Sequence, residues 1–169
     1  MINNISVRIA TPKDGDFIKL AVRQLIQLCQ NTPTPPQVKG IDQCWEKIMS
    51  DPKKNAVFVA ESNGKPVGAA VCTFEHVLHC GGEVCNIQDL IINQNVRSSG
   101  IGKKLIQYVE EYSKKRGVRA IDLSQPPNDT AGHQVRTQFY TKCGFTMLGP
   151  TRLKPLDPDC DIDPIKKNV

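Results

Sequence analysis

The chain has 169 residues, 39% apolar and 23% charged, and a net charge of +5 from 22 Lys and Arg against 17 Asp and Glu. That length suits one domain, large enough to fold without disulfide or metal staples. No apolar run approaches the ~20 residues of a membrane span, and the excess of positive charge is too small to argue for nucleic acid. The seven cysteines are odd in number and irregularly spaced, and Met1 to Asn4 has neither the basic nor the apolar part of a signal peptide. Free thiols in the cytoplasm are therefore expected.

Ile5 to Ala10 is β-branched and partly alternating, a first strand. Thr11 to Asp16 carries turn and capping chemistry, and a helix follows with Phe17, Ala21, Leu25 and Leu28 on one stripe. Asn31 to Gly40, with three prolines, is a loop, and Ile41 to Met49 a short helix. Ala56 to Glu61 and Val67 to Phe74 are strands joined at Asn63-Gly64, a strong hairpin signal. Gly81-Gly82 suggests a second hairpin, leading into a strand over Val84 to Ile92. Ile101, Leu105, Tyr108 and Tyr112 set a helix from Gly100 to Arg116, closed by Gly117. Val118 to Leu123 is a strand, Gly132 to Cys143 a helix, and Phe145 to Leu148 and Thr151 to Leu156 closing strands. The expected fold is a mixed, mostly antiparallel sheet with helices on both faces. A single domain spans 1–156, and a flexible tail spans 157–169.

The segment richest in chemistry is Asp89 to Lys104, where a strand runs into a loop holding Arg97, Gly100 and Gly102 and then into a helix. The first N–H groups of a helix are unpaired and carry positive partial charge. Glycines let a phosphate approach the backbone, and Arg97, Lys103 and Lys104 add full charges. The bland reading is a glycine-rich connection with solvated basic residues. A P-loop fails, because Gly102-Lys103 is followed by Lys104 and Arg97 stands where the first glycine belongs. A dinucleotide fingerprint fails at its third glycine, which here is Leu105, although Asp122 lies where a ribose ligand would be.

Arg97-Ser98-Ser99-Gly100-Ile101-Gly102 resembles the Arg/Gln-x-x-Gly-x-Gly/Ala signature of the GNAT superfamily of N-acetyltransferases. Gln88 to Ile92 looks like that family's fourth strand, and Phe139-Tyr140-Thr141-Lys142-Cys143-Gly144-Phe145 like its Phe-Tyr-x-x-x-Gly-Phe segment. The likeness runs to about Leu156. It implies acetyl-CoA as co-substrate and a primary amine, on a small molecule or on a protein lysine or N-terminus, as acceptor. It also implies that the backbone of Leu90, Ile91 and Ile92 pairs with the pantetheine arm, in a slot opened by a bulge in the fourth strand. Arg97, Ser98, Ser99, Gly100, Ile101, Gly102 and Lys103 would cradle the pyrophosphate, and Tyr140 would protonate the departing thiolate.

An ammonium acceptor must first lose a proton, so a base is wanted. Asp89 and Glu83 are the candidates, with Glu75 and water as further options. Strand alternation puts Glu83, Cys85, Ile87 and Asp89 on one face unless a bulge shifts the parity. The family often has Asn where this chain has His133, here counted among the cofactor contacts, and Ala where it has Arg136. Acidic residues of the tail, Asp157 to Asp163, offer attraction for a cationic amine or a solvated end.

Two other readings differ in class. One keeps the fold as a non-catalytic acyl-CoA sensor or interaction module. The other gathers His76, His79, Cys80 and Cys85 around zinc, at spacings that match no standard zinc pattern, so no metal is expected. Neither nucleic acid nor membrane is an expected partner, and a homodimer stays open.

Overall fold

The computed structural model describes residues 4–97, 99–126, 130 and 132–149. Five strands form one sheet in the order β1 (Ile5–Ile9), β2 (Asn55–Ser62), β3 (Lys65–Val77), β4 (Gly82–Ile92) and β5 (Ala120–Leu123). Neighbours are antiparallel except for β4 and β5, which are parallel. A parallel pair needs a long crossover, and helix α3 (Ile101–Arg116) supplies it. Helices α1 (Gly15–Gln30), α2 (Ile41–Ser50) and α4 (His133–Lys142) complete the fold.

The alternation of β2 and β3 builds two cores. Val57, Val59, Ala69 and Val71 face α1 and α2, packing on Ile18 with Trp45 and Ile48 beside it. Phe58, Ala60, Ala70, Cys72 and Phe74 face α3, meeting Ile101, Leu105, Ile106 and Val109. Phe58 is fully buried between the rings of Tyr108 and Tyr112, with centroids at 5.3 and 5.1 Å. On a sheet covered on both faces, each such side chain contributes roughly 1.5–3 kcal/mol.

Both expected hairpins form. Asn63 and Gly64 have φ of 53° and 72° and link Ser62 to its partner Lys65, the conformation that a tight two-residue turn demands. A 3₁₀ turn over Leu78–Cys80 with Gly81 at φ 65° joins β3 to β4. Arg8 fastens β1 to the start of α1 and to β2. Its guanidinium donates to Asp14 at 2.8 and 2.9 Å, and its Nε and Nη2 donate to Glu61 Oε1 at 2.9 and 2.6 Å.

Two expectations need correction. Phe145 to Leu148 is irregular chain, not a strand; it follows the left-handed Gly144, φ 87°. The expected strand over Thr151 to Leu156 and the tail lie outside the described residues. The shared face for Glu83, Cys85, Ile87 and Asp89, expected unless a bulge shifts the parity, also fails, because the bulge is present. Val71 pairs with Asp89, but Cys72 pairs with Ile87, so Gln88 is an extra residue. Such a bulge inverts the parity of everything beyond it. Cys85 and Ile87 join the α3-side core, whereas Asp89 is turned toward α1.

Candidate active site

The bulge at Gln88 opens the sheet. Pairing of β4 with β5 covers Val84 to Ile87, opposite Ala120 to Leu123, and stops there. Beyond it, β4 keeps β3 on one side only. The Asn93 N–H donates to Val67 O at 2.9 Å, so by alternation Ile91 and Asp89 also turn their backbone groups to β3. The N–H and C=O of Leu90 and Ile92 point the other way, to a side without a strand among the described residues. Ile91, expected to share in this edge, instead packs its buried side chain toward α1. An opened strand edge of this kind can pair with an extended ligand carrying amides.

At the mouth of the opening, α3 begins. Gly100 caps it with φ 82°, and the first intrahelical bond runs from Lys104 N–H to Gly100 O at 3.1 Å. The amides of Ile101, Gly102 and Lys103 precede that bond and are free to receive an anion. Ile101's side chain is core, at 1% exposure, so its backbone alone can serve. Ser99 Oγ donates to Val96 O at 2.5 Å, holding the loop, and Arg97 Nε reaches Ile92 O at 3.4 Å. Lys103 is exposed. Ser98 lies outside the described residues. Gly102 has α4 against it: a Cβ there would lie 3.0 Å from Phe139 Cζ. The group fits a ligand with a phosphate at one end and amides at the other, as CoA has.

Helix α4 closes the opening. Phe139 and Cys143 pack on the α3-side core, while His133, Arg136, Thr137 and Tyr140 form the other part of its inward face, spaced for one side of a helix. Tyr140 stacks edge-on against Phe139 and Phe145, at 5.1 and 5.8 Å. Burial lifts its phenol to about 12, Arg136 opposing the rise and Cys143 adding to it. His133 Nδ1 and Thr137 Oγ1, one turn apart, and Gln125 Oε1 beyond β5 are buried without a hydrogen-bond partner among the described residues. Such atoms carry a desolvation cost that a bound ligand can relieve.

Burial raises the Asp89 carboxyl above the usual range. The Cys29 thiol, near the end of α1, is raised first by burial; Arg136 lowers it and Asp89 raises it further. Cys29 thus feels charges carried on both β4 and α4, and Tyr140 feels that of Arg136. Arg136 and Thr137 are the residues that reading the sequence undervalued. The four-residue step from His133 to Thr137 is a signal that could have found the latter.

Glu83 is elsewhere. It accepts two 2.6 Å hydrogen bonds from Arg116 Nε and Nη2, which hold its carboxyl below the usual range. Arg116 also lies over the Phe74 ring, 4.1 Å from its centroid. Glu75 is exposed. Cys85 is buried against Cys72, apart from exposed His76 and His79, and among the described residues no three His, Cys, Asp or Glu are placed to share a metal ion. No helix among them is long and apolar enough to cross a membrane.

A five-stranded mixed sheet, splayed between β4 and β5 beside a glycine-led helix start, is the architecture of N-acetyltransferases. Residues 20–145 match the model of the Acetyltransferase (GNAT) family, and the chain belongs to that family. An uncharacterised N-acetyltransferase of Methanocaldococcus jannaschii is 33% identical over 93 residues, 54% of this chain and 39% of that protein. The chain thus matches well under half the length of that relative. Glucosamine 6-phosphate N-acetyltransferase 1 of Oryza sativa subsp. japonica is 25% identical over 123 residues, 70% of each chain. An aminoglycoside N-acetyltransferase solved with CoA superposes with TM-score 0.68 at 16% identity, over 90% of this chain and 94% of that one. Acyl transfer from acetyl-CoA is the chemistry that this membership supports.

Proposed function

We propose that the protein moves the acetyl group of acetyl-CoA to a primary amine by direct attack. The observation that carries this is the opened β4 edge at Leu90 and Ile92 lying beside the free amides of Ile101 to Lys103. Backbone pairing at Leu90 and Ile92 holds the pantetheine arm, and the α3 start with Arg97 and Lys103 holds the pyrophosphate. His133 Nδ1 finds its missing partner on the same arm.

Acetyl-CoA supplies the thioester carbonyl. Asp89, directly or through water, takes the proton that an ammonium acceptor must lose; its raised pKa suits a base working on an ammonium. The amine nitrogen forms a bond to the carbonyl carbon, and a free N–H of the opened strand stabilises the oxyanion. The carbon–sulfur bond breaks, Tyr140 delivers a proton to the sulfur, and the nitrogen's second proton passes through water to restore the phenol. The products are an N-acetyl amine and CoA thiol. Glu83, tied to Arg116, is set aside as base.

Calorimetric titration with acetyl-CoA, beside CoA and NAD, tests the reading. Saturable binding of acetyl-CoA that is weakened by Arg97→Ala is expected. Folded protein that does not bind acetyl-CoA would overturn it, and binding without transfer to any amine would favour a sensor.

A further inference from the structure

The sheet face that α1 and α2 cover turns from apolar to polar along the strands. Val57, Val71 and Asp89 lie side by side in register, with Val57 and Val71 in the core beneath the helices. Two residues along, the same face carries Asn55, Thr73, Asn86 and Asp122, paired in that order across β2, β3, β4 and β5. Gln88, the extra residue of the bulge, turns to this side as well, its Nε2 donating to Thr73 Oγ1 at 3.1 Å. Asn86 Nδ2 donates to Asp122 Oδ1 at 2.6 Å. Gln88 and Asp122 are exposed, Thr73 and Asn86 half-buried. A helix-covered sheet face is apolar; here the apolar rows give way to one polar side chain on each of four neighbouring strands.

The row runs up to the reacting centre. Pairing of β4 with β5 stops at Ile87 and Leu123, one residue past Asn86 and Asp122, so Asp122 borders the gap assigned to the thioester. Asp89 is on the same face. Two pairing steps along β4 and one strand across separate it from Asp122, roughly 8 Å between the Cα atoms. Over Val71 to Glu75 on β3, Val84 to Asp89 on β4 and Ala120 to Asp122 on β5, this face holds Glu75, Asp89 and Asp122 and no basic side chain. Lys53 and Lys54 stand beyond Asn55, at the far end of the row, where they line a cavity with Glu75 and Glu83. The Asn86 amide occupies one site on the Asp122 carboxylate, which has acceptor capacity for more. A monoamine would use only Asp89, and an anionic acceptor would meet two like charges. A diamine meets a carboxylate at each end.

We propose that the acceptor is a flexible diamine, with one nitrogen turned to Asp89 for acetylation and the other kept as an ammonium by Asp122. This rests on the acyl-transfer reading and names its substrate class. Asp122 then sets specificity through acceptor affinity and takes no part in proton transfer.

The test uses matched acceptors. Putrescine and cadaverine are compared with butylamine and pentylamine, which lack the second nitrogen. Ethylenediamine is too short to span the two carboxylates, and γ-aminobutyrate carries an anion in place of the second amine. Binding is measured calorimetrically on protein saturated with CoA, and transfer by release of CoA thiol. At least one long diamine is expected to exceed its monoamine by roughly five- to fiftyfold in kcat/KM, between an exposed ion pair and a charge-assisted hydrogen bond. It should also exceed ethylenediamine and γ-aminobutyrate, and added salt should reduce its advantage. In Asp122→Asn, which keeps an oxygen for Asn86, the ratio falls toward unity through the diamine KM, with the KM for acetyl-CoA unchanged, and Asp122→Glu restores part of it. Long diamines that do no better than monoamines overturn the proposal, as does a preference for γ-aminobutyrate or a ratio untouched by Asp122→Asn. A rise confined to the acetyl-CoA KM would move Asp122 to the cofactor and also overturn it. Failure to bind CoA at all would instead refute the acyl-transfer reading beneath it.

Discussion

Replacing Tyr140 with phenylalanine removes one oxygen and leaves the ring. The stacking on Phe139 and Phe145 at 5.1 and 5.8 Å does not use the hydroxyl, so stability should change by less than about 1 kcal/mol. The catalytic effect should be much larger. Burial raises the phenol from 10.0 to about 12. Each pKa unit is about 1.4 kcal/mol, so close to 3 kcal/mol opposes loss of the proton, and at pH 8 only about one molecule in ten thousand is phenolate. The acid is loaded throughout the working range. Its removal should lower kcat by roughly 10²- to 10⁴-fold, the span of a single general acid, with the KM for acetyl-CoA within about threefold of wild type. The wild-type alkaline limb attributable to Tyr140 should lie near pH 12 and vanish in the variant. Stopped-flow measurement of thiol release across pH would check both. A Tyr140→Phe protein with wild-type kcat would refute the assignment, however well its pH profile fitted.

Asp89→Asn should lower kcat by roughly 10²-fold or more. In wild type, activity should rise with pH through a limb above the usual carboxylate range, because burial holds the proton on and only the deprotonated form is a base; a pH–rate profile tests this. Gly102→Val would branch a side chain where a Cβ alone already comes within 3.0 Å of Phe139. It should weaken acetyl-CoA roughly tenfold by calorimetry, the scale of one helix-terminus interaction. Asp14, lowered from 3.8 to about 2 chiefly by the hydrogen bonds from Arg8, links ionisation to folding. Its contribution of about 2 kcal/mol is present above the unfolded value and lost as pH falls from about 4 through 2. Asp14→Asn should therefore cost about 2 kcal/mol in urea unfolding at pH 7 and little at pH 2.

Local chemistry explains what the sequence disclosed. Asn63-Gly64 can hardly do anything but turn, and Ile101 to Arg116 repeats its apolar residues at helical spacing and ends on Gly117. The phosphate-receptive loop was legible because Gly100 and Gly102 sit where a strand must become a helix. A bulge in the fourth strand was implied by the family resemblance, but its place was not legible. Gln88 carries no glycine or proline to mark it, and its position follows from pairing with β3, a tertiary fact. Without its place, Glu83 and Asp89 could be put on one face; the two face opposite sides of the sheet, and Glu83 is occupied by Arg116, whose own position depends on where α3 ends. Phe145 to Leu148 looked like a strand because its apolar residues are dense, but among the described residues no strand pairs with it, and density alone does not make a ladder. Arg136 was visible as a departure at its place; its effect on the Cys29 thiol, at the far end of the sequence from it, needed the fold.

The bulge at Gln88 also divides β4 into two kinds of amide. Among Asp89 to Ile92, the N–H groups of Asp89 and Ile91 are locked to β3, while those of Leu90 and Ile92 face the gap. In deuterated water, without ligand, label should enter this strand at every second residue, quickly at Leu90 and Ile92 and slowly at their neighbours. A bound pantetheine arm would erase that alternation. The strand thus reports its own occupancy, amide by amide, with no need for turnover.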